Sequence, residues 1–354
     1  MYGKDRKFKI EYKSKLNSTM LNTCIIIFLF GVIIILTIGK NHILLNTSEF
    51  TPPQLLTNRV ATNCFRGAAI LMILVGHISG NMHTVYFTPI GGTGVAIFLF
   101  LSGFGLNESY KKTGLTNFWS KKVVRVLMPY AIVITALWFY WDYKFDWLYV
   151  LNLLGLKTYY WYVAFLIKWY IAFYVLTRFA YRWRIYGMMA IAIVMLIFFP
   201  NIEAEQAFSF LLGVIVSVKI NKVHSMSSRS LCIVALLCAV IGITCLGIKQ
   251  MDALRHYSVD YIMNIIQCGI KLPLAIALMA GLTFIPLVFN SLFMKWVGLI
   301  SYELYLVHFP FYPKLNGSLS QAFLFILISF IAAYALYLVD NALSKRLLRN
   351  VKRA

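Results

Sequence analysis

Apolar runs of about twenty residues recur from one end of this chain to the other, and they limit its fold more than any other feature. A bilayer core is about 30 Å thick, and a helix needs about 20 apolar residues to cross it. In lipid every backbone polar group must be satisfied inside a helix or a closed barrel. A barrel would show segments of about ten residues with alternating polarity, whereas these runs are longer and continuous. Composition points the same way: 60% of the 354 residues are apolar and only 13% are charged, against roughly half and a quarter in soluble domains. The expected fold class is all-α, a polytopic membrane helical bundle.

Ten apolar segments fall at approximately 63–80, 91–106, 126–141, 161–178, 185–199, 206–219, 230–248, 269–289, 296–312 and 320–343. An additional run at 20–39 follows a basic stretch and is followed by a polar linker holding Pro52 and Pro53. It lacks a small-x-small cleavage site, so a retained helix is expected rather than a removed signal. The organisation predicted is therefore 1–62 (basic N-terminus, extra helix, linker), 63–343 (one membrane domain) and 344–354 (basic tail). Residues 142–160, rich in aromatics and carrying Asp142 and Asp146, read as an interfacial or re-entrant piece. The six cysteines (Cys24, Cys64, Cys232, Cys238, Cys245 and Cys268) form no close CxxC pair. Neither a disulfide framework nor a zinc site is indicated, they read as small apolar residues, and no metal is expected.

Lys and Arg outnumber Asp and Glu 33 to 12, a net charge of +21. In a soluble chain this would suggest nucleic acid; in a polytopic one it reflects the crowding of basic residues in cytoplasmic loops. An anionic ligand on that face is compatible with the same charge. Lys111, Lys112, Lys121, Lys122 and Arg125 form one cluster and Arg178, Arg182 and Arg184 a second. Lys219, Lys222 and Arg229 make a third, and Lys345 to Arg353 the fourth. Ten crossings place all four on the cytoplasmic side, while the alternate loops 81–90 and 200–205 contain no Lys or Arg. The run at 20–39 disturbs this: if it crosses too, the basic N-terminus lies outside, against the rule.

Chemistry is expected where ionisable groups enter the apolar segments, because such groups are costly there unless they line a polar cavity. Arg66 and His77 are eleven residues apart, which at about 100° and 1.5 Å per residue puts them on one helical face about 16 Å apart. Ser301, Tyr305 and His308 likewise share one face at i, i+4 and i+7. Each histidine lies some eleven or twelve residues into its segment from the cytoplasmic side, so both should reach similar depth. The plainer alternatives are that Arg66 snorkels to headgroups and that Tyr305 and His308 join helices by hydrogen bonds. Ser102 reads as a packing serine, since no base stands at triad spacing.

Four segments in order resemble the acyltransferase-3 family of integral membrane acyltransferases. They are Arg66 to His77, with ten residues between; the Phe-rich helix from Gly94 to Phe104 that ends in Ser-Gly-Phe; the basic loop Phe118 to Tyr130, leading into a proline-started helix; and Ser301-Tyr302-x-x-Tyr305-Leu306-x-His308. Trp161-Tyr162 at a helix start is a fifth match. The chain departs from the family in two ways. Where the family has Arg-x-x-Arg the spacing here is Lys122-x-x-Arg125, which keeps the charge but loses one planar fork. The helix at 20–39 is additional to the ten-helix core.

The resemblance implies an O-acyltransferase that modifies a polysaccharide or lipid-linked sugar outside the cytoplasm, with acetyl-CoA as donor, in the plasma (inner) membrane. It implies His77 as general base and Arg66, Lys122 and Arg125 as cations for the donor's phosphates. Ser301, Tyr305, His308 and Trp161 become candidates for holding the acceptor. The alternative class is a multi-span transporter of a small anion or sugar; such carriers often show two related halves, and no internal repeat is visible.

Overall fold

The computed structural model describes residues 50–81, 87–255, 260–314 and 319–353, with 23, 31–34 and 37 before them. The expected helix at 20–39 lies largely outside the described residues. Among them nine helices are long and apolar enough to cross a membrane. They include α1 (Arg59–Asn81), α2 (Thr88–Thr113) and α3 (Phe118–Tyr140). A short helix, α4 (Trp147–Leu153), leads to α5 (Trp161–Phe179) and α6 (Arg184–Phe198). The turn α7 (Asn201–Ala204) opens the span completed by α8 (Ser209–Val218). Then come α9 (Ser228–Gln250), α10 (Asp260–Leu282), the pair α11 (Leu292–Leu299) and α12 (Ser301–His308), and finally α13 (Leu319–Arg353).

The segment read from sequence as one helix at 296–312 is thus two short helices, broken at Ile300, whose backbone (φ −96°, ψ 11°) leaves the α region. Ser301 donates its hydroxyl to the Gly298 carbonyl at 2.9 Å, satisfying a group that the break would otherwise orphan. In α3, Val123–Leu127 form a π-helical turn between α-helical ends. Such turns recur at functional sites, and this one carries Arg125. Of the cysteines, Cys64 and Cys268 are buried as expected, but Cys232 is exposed on α9, the helix with the smallest buried share.

α1 and α2 have the largest buried share and stand at the centre. Small residues let the backbones touch, the usual way that helices associate where lipid competes with apolar side chains. A Cβ on Gly76 would lie 2.8 Å from the Gly91 Cα, so α1 and α2 meet backbone to backbone. A Cβ on Gly103 would collide with the Phe210 carbonyl oxygen of α8, and one on Gly213 with the Phe100 carbonyl oxygen of α2. Because the obstacle is backbone and not a movable side chain, Gly103→Val should reach the upper end of overpacking costs, about 3 kcal/mol. The expected result is a lower thermal midpoint and less monodisperse protein in detergent; an unchanged midpoint would contradict the crossing.

Candidate active site

Two cavities enter the bundle from opposite ends. The first, of about 430 Å³, lies at the end that carries the basic loops and is lined by Arg66, Lys121, Lys122 and Arg125. Glu303 supplies the one carboxylate among its described lining residues. The Lys122 ammonium sits 4.6 Å from the Tyr170 ring centroid and 5.7 Å from that of Phe118, a cation–π arrangement that fixes a flexible chain. The Tyr302 hydroxyl donates to the Val126 carbonyl at 2.9 Å, tying α12 to the π turn. Ser301 and Ser102 also line this cavity. Ser301, Tyr305 and His308 share the unbroken α12 as the sequence predicts, but Ser301 opens that helix at the basic end, about 10 Å along the axis from His308 at 1.5 Å per residue, and so lines the other cavity.

The second cavity, of about 400 Å³, lies toward the opposite end and gathers His77, His308, Tyr305 and Trp161. The two imidazole centroids are 5.1 Å apart with their planes at 41°, and the Tyr305 ring is 5.7 Å from that of His308. His308 Nδ1 lies 3.0 Å from the Leu304 carbonyl. A carbonyl only accepts, so Nδ1 carries the proton and Nε2 is left with a free lone pair. That Nε2 is buried and has no hydrogen-bond partner among the described residues.

Three further side chains on this wall were not singled out in the sequence. Lys271 of α10 and Glu205, just after α7, form a buried ion pair across the cavity. Gln206 donates to the Gly92 carbonyl at 2.9 Å and accepts from the Ser209 hydroxyl at 3.0 Å. The Lys271 stem runs over Gly92, where a Cβ would come within 2.8 Å of its Cδ, so the glycine makes room for the lysine. A second pair, Lys168 to both Glu203 oxygens at 2.8 and 2.7 Å, braces the same turn. The available signal was a lysine in the apolar run of α10 and two glutamates in a short loop, but residues 205 and 271 are far apart in the chain.

The two cavities have no lining residue in common. Tyr162 lines the basic one and Tyr305 the histidine one, with ring centroids 5.0 Å apart. Phe98 packs 6.2 Å from Tyr162. One layer of aromatic rings therefore separates the cations from the imidazoles, and α1 spans it with Arg66 on one side and His77 on the other.

Over residues 59–339 the chain matches an acyltransferase domain, and with its membrane-spanning helices it is a multi-pass membrane acyltransferase. It belongs to the acyltransferase-3 family. Comparison with curated proteins and with solved structures gives no match. The family assignment supplies the acyl-transfer chemistry that a transporter would lack.

Proposed function

We propose that this protein is a plasma-membrane O-acyltransferase that moves an acetyl group from cytoplasmic acetyl-CoA to a hydroxyl of a surface polysaccharide or lipid-linked sugar. The observation that carries this reading is the pairing of a cationic cavity with a two-histidine cavity across one aromatic layer. Arg66, Lys122 and Arg125 offer cations to the donor's phosphates, which charge-assisted hydrogen bonds hold best. The pantetheine arm then follows α1 past Tyr162 and Tyr305, delivering the thioester toward His77.

His77 takes the proton of the acceptor hydroxyl as its oxygen attacks the thioester carbonyl carbon. The C–S bond breaks, the ester forms, and the proton returns from the imidazolium to the departing thiolate sulfur. His308, with Nδ1 held by Leu304, presents Nε2 as an acceptor for a second, neighbouring hydroxyl of the sugar, which orients the ring whose other hydroxyl reacts. Trp161 and Tyr305 supply the walls against which the acceptor lies.

The test is purified protein in proteoliposomes given radiolabelled acetyl-CoA and the glycan isolated from cells lacking the gene. Base-labile label on the glycan is expected; acetyl-CoA left unconsumed alongside unlabelled glycan would refute the reading. Each donor-cavity cation should add about 1–2 kcal/mol to donor binding. Lys122→Ala and Arg125→Ala are each expected to raise the KM for acetyl-CoA about ten-fold with the acceptor KM held. A change confined to the acceptor KM would remove these residues from the donor site.

A further inference from the structure

A third cavity lies beside the histidines and takes no part in the reaction just described. It has a volume of about 460 Å³, within the roughly 300–1,000 Å³ range of small-molecule sites. It is formed by the outer end of α3, the segment with α4, and the approach to α5, the end of the bundle away from the basic loops. Tyr159, Tyr160 and Phe309 line both this cleft and the histidine cavity, so the two are adjoining compartments with common walls.

The cleft is built and not a chance gap between loops. The Trp138 indole N–H donates to the Lys144 carbonyl at 2.9 Å. The Tyr130 hydroxyl donates to the Asn152 carbonyl at 2.6 Å and lies 2.9 Å from the Thr158 hydroxyl. Asp146 caps α4 by accepting from the Leu148 and Tyr149 amides. These bonds hold Trp141 and Tyr143, both solvent-accessible and 5.7 Å apart, as fixed aromatic faces. Lys144, Asp146 and Lys157 stand around them. Rigid ring faces flanked by hydrogen-bonding groups suit a ligand with apolar C–H faces and a rim of hydroxyls.

An aromatic belt at the bilayer surface is the plainer account of tryptophans and tyrosines here. Trp147 and Leu156 fit that account, since both are exposed and neither lines the cleft. Trp141 and Tyr143 do not, because they line a cleft that shares Tyr159, Tyr160 and Phe309 with the reaction cavity.

We propose that this cleft is an acceptor subsite, holding saccharide units next to the one whose hydroxyl is acylated. The subsite rests on the acyltransfer reading above and adds that the acceptor is an oligomer or polymer recognised over more than one sugar ring. The enzyme should therefore prefer long acceptor fragments to short ones.

The probe is the glycan from cells lacking the gene, freed of lipid by mild acid and sized into short and long fragments. Wild-type protein should show a kcat/KM about ten-fold higher on the long fragments, the equivalent of ~1.4 kcal/mol. Trp141→Ala and Tyr143→Ala, made separately so that a folding failure in one leaves the other, should each bring that ratio close to one. Trp147→Ala should leave the ratio as in wild type. A wild-type ratio of one, or an equal effect of Trp147→Ala, would overturn the subsite while leaving acyltransfer intact. If wild-type protein transfers nothing to any fragment, the acyltransfer reading fails by itself. The subsite is then judged by binding: quenching of tryptophan fluorescence by lipid-free long fragments, weakened about ten-fold by Trp141→Ala. A length preference that needs an attached lipid tail would assign the cleft to lipid and refute the proposal.

Discussion

Cells carrying His77→Ala at normal membrane abundance are expected to lose O-acetylation of their surface glycan by about 10²–10⁴-fold, the usual share of general base catalysis. The expectation comes from position. His77 lies on the stripe of α1 that begins with Arg66, one aromatic layer beyond the cationic cavity, and its ring stands 5.1 Å from that of His308. His308 has committed Nδ1 to the Leu304 carbonyl, which leaves Nε2 to accept from a hydroxyl beside the reacting one. His308→Ala is therefore expected to fall less far than His77→Ala. Mass analysis of glycans from both strains reads the outcome directly. Acetylation at wild-type level in His77→Ala would end its assignment as the base, and the reverse order of effects would exchange the two roles.

Lys271→Met is expected to lower stability by about 3–5 kcal/mol, because it leaves the largely buried Glu205 carboxylate without its partner. Glu205→Gln should do comparable damage by stranding the ammonium. The double variant Lys271→Met/Glu205→Gln should recover most of either loss, since a buried pair replaced as a unit removes two desolvation costs along with the attraction. Thermal unfolding of the four proteins in detergent closes the double-mutant cycle. Additive losses, with no recovery in the double variant, would show that the two side chains do not act as a pair. The 9% and 13% side-chain exposures make the large coupling expected here; a surface pair would give about 0–1 kcal/mol.

Much of the fold was legible because long apolar windows report directly on bilayer thickness, and each of the nine spans overlaps a sequence segment, although the one read at 269–289 lies at Asp260–Leu282 and the one read at 126–141 begins at Phe118. The tenth was misread as continuous for the same reason: apolar character runs through the break at Ile300, and only Gly298 and Ser301 mark it. Ser301 lies in the basic cavity while Tyr305 and His308 line the other because it stands at the first turn of α12, about 10 Å along the axis from His308. The two histidines could be matched by counting residues from a common membrane face. Glu205 and Lys271 could not, because each alone resembles an ordinary loop or edge charge and their contact depends on how α7 and α10 fold against Gly92. The aromatic stretch 142–160 was legible as something other than a full span, but its folding into a cleft depends on tertiary bonds such as those from Trp138 and Tyr130.

The single layer of rings between the two cavities has a consequence for the cell as well as for the reaction. A membrane protein with a cavity toward each end is close to being a channel, and Tyr162, Tyr305 and Phe98 are the rings that stand between its two cavities. If the proposed thioester passes between them, those rings must part without ever opening a continuous file of water, or each turnover would leak protons down any gradient across the membrane. Tight aromatic packing at this level is thus what would keep a membrane that holds an ion gradient sealed around the protein.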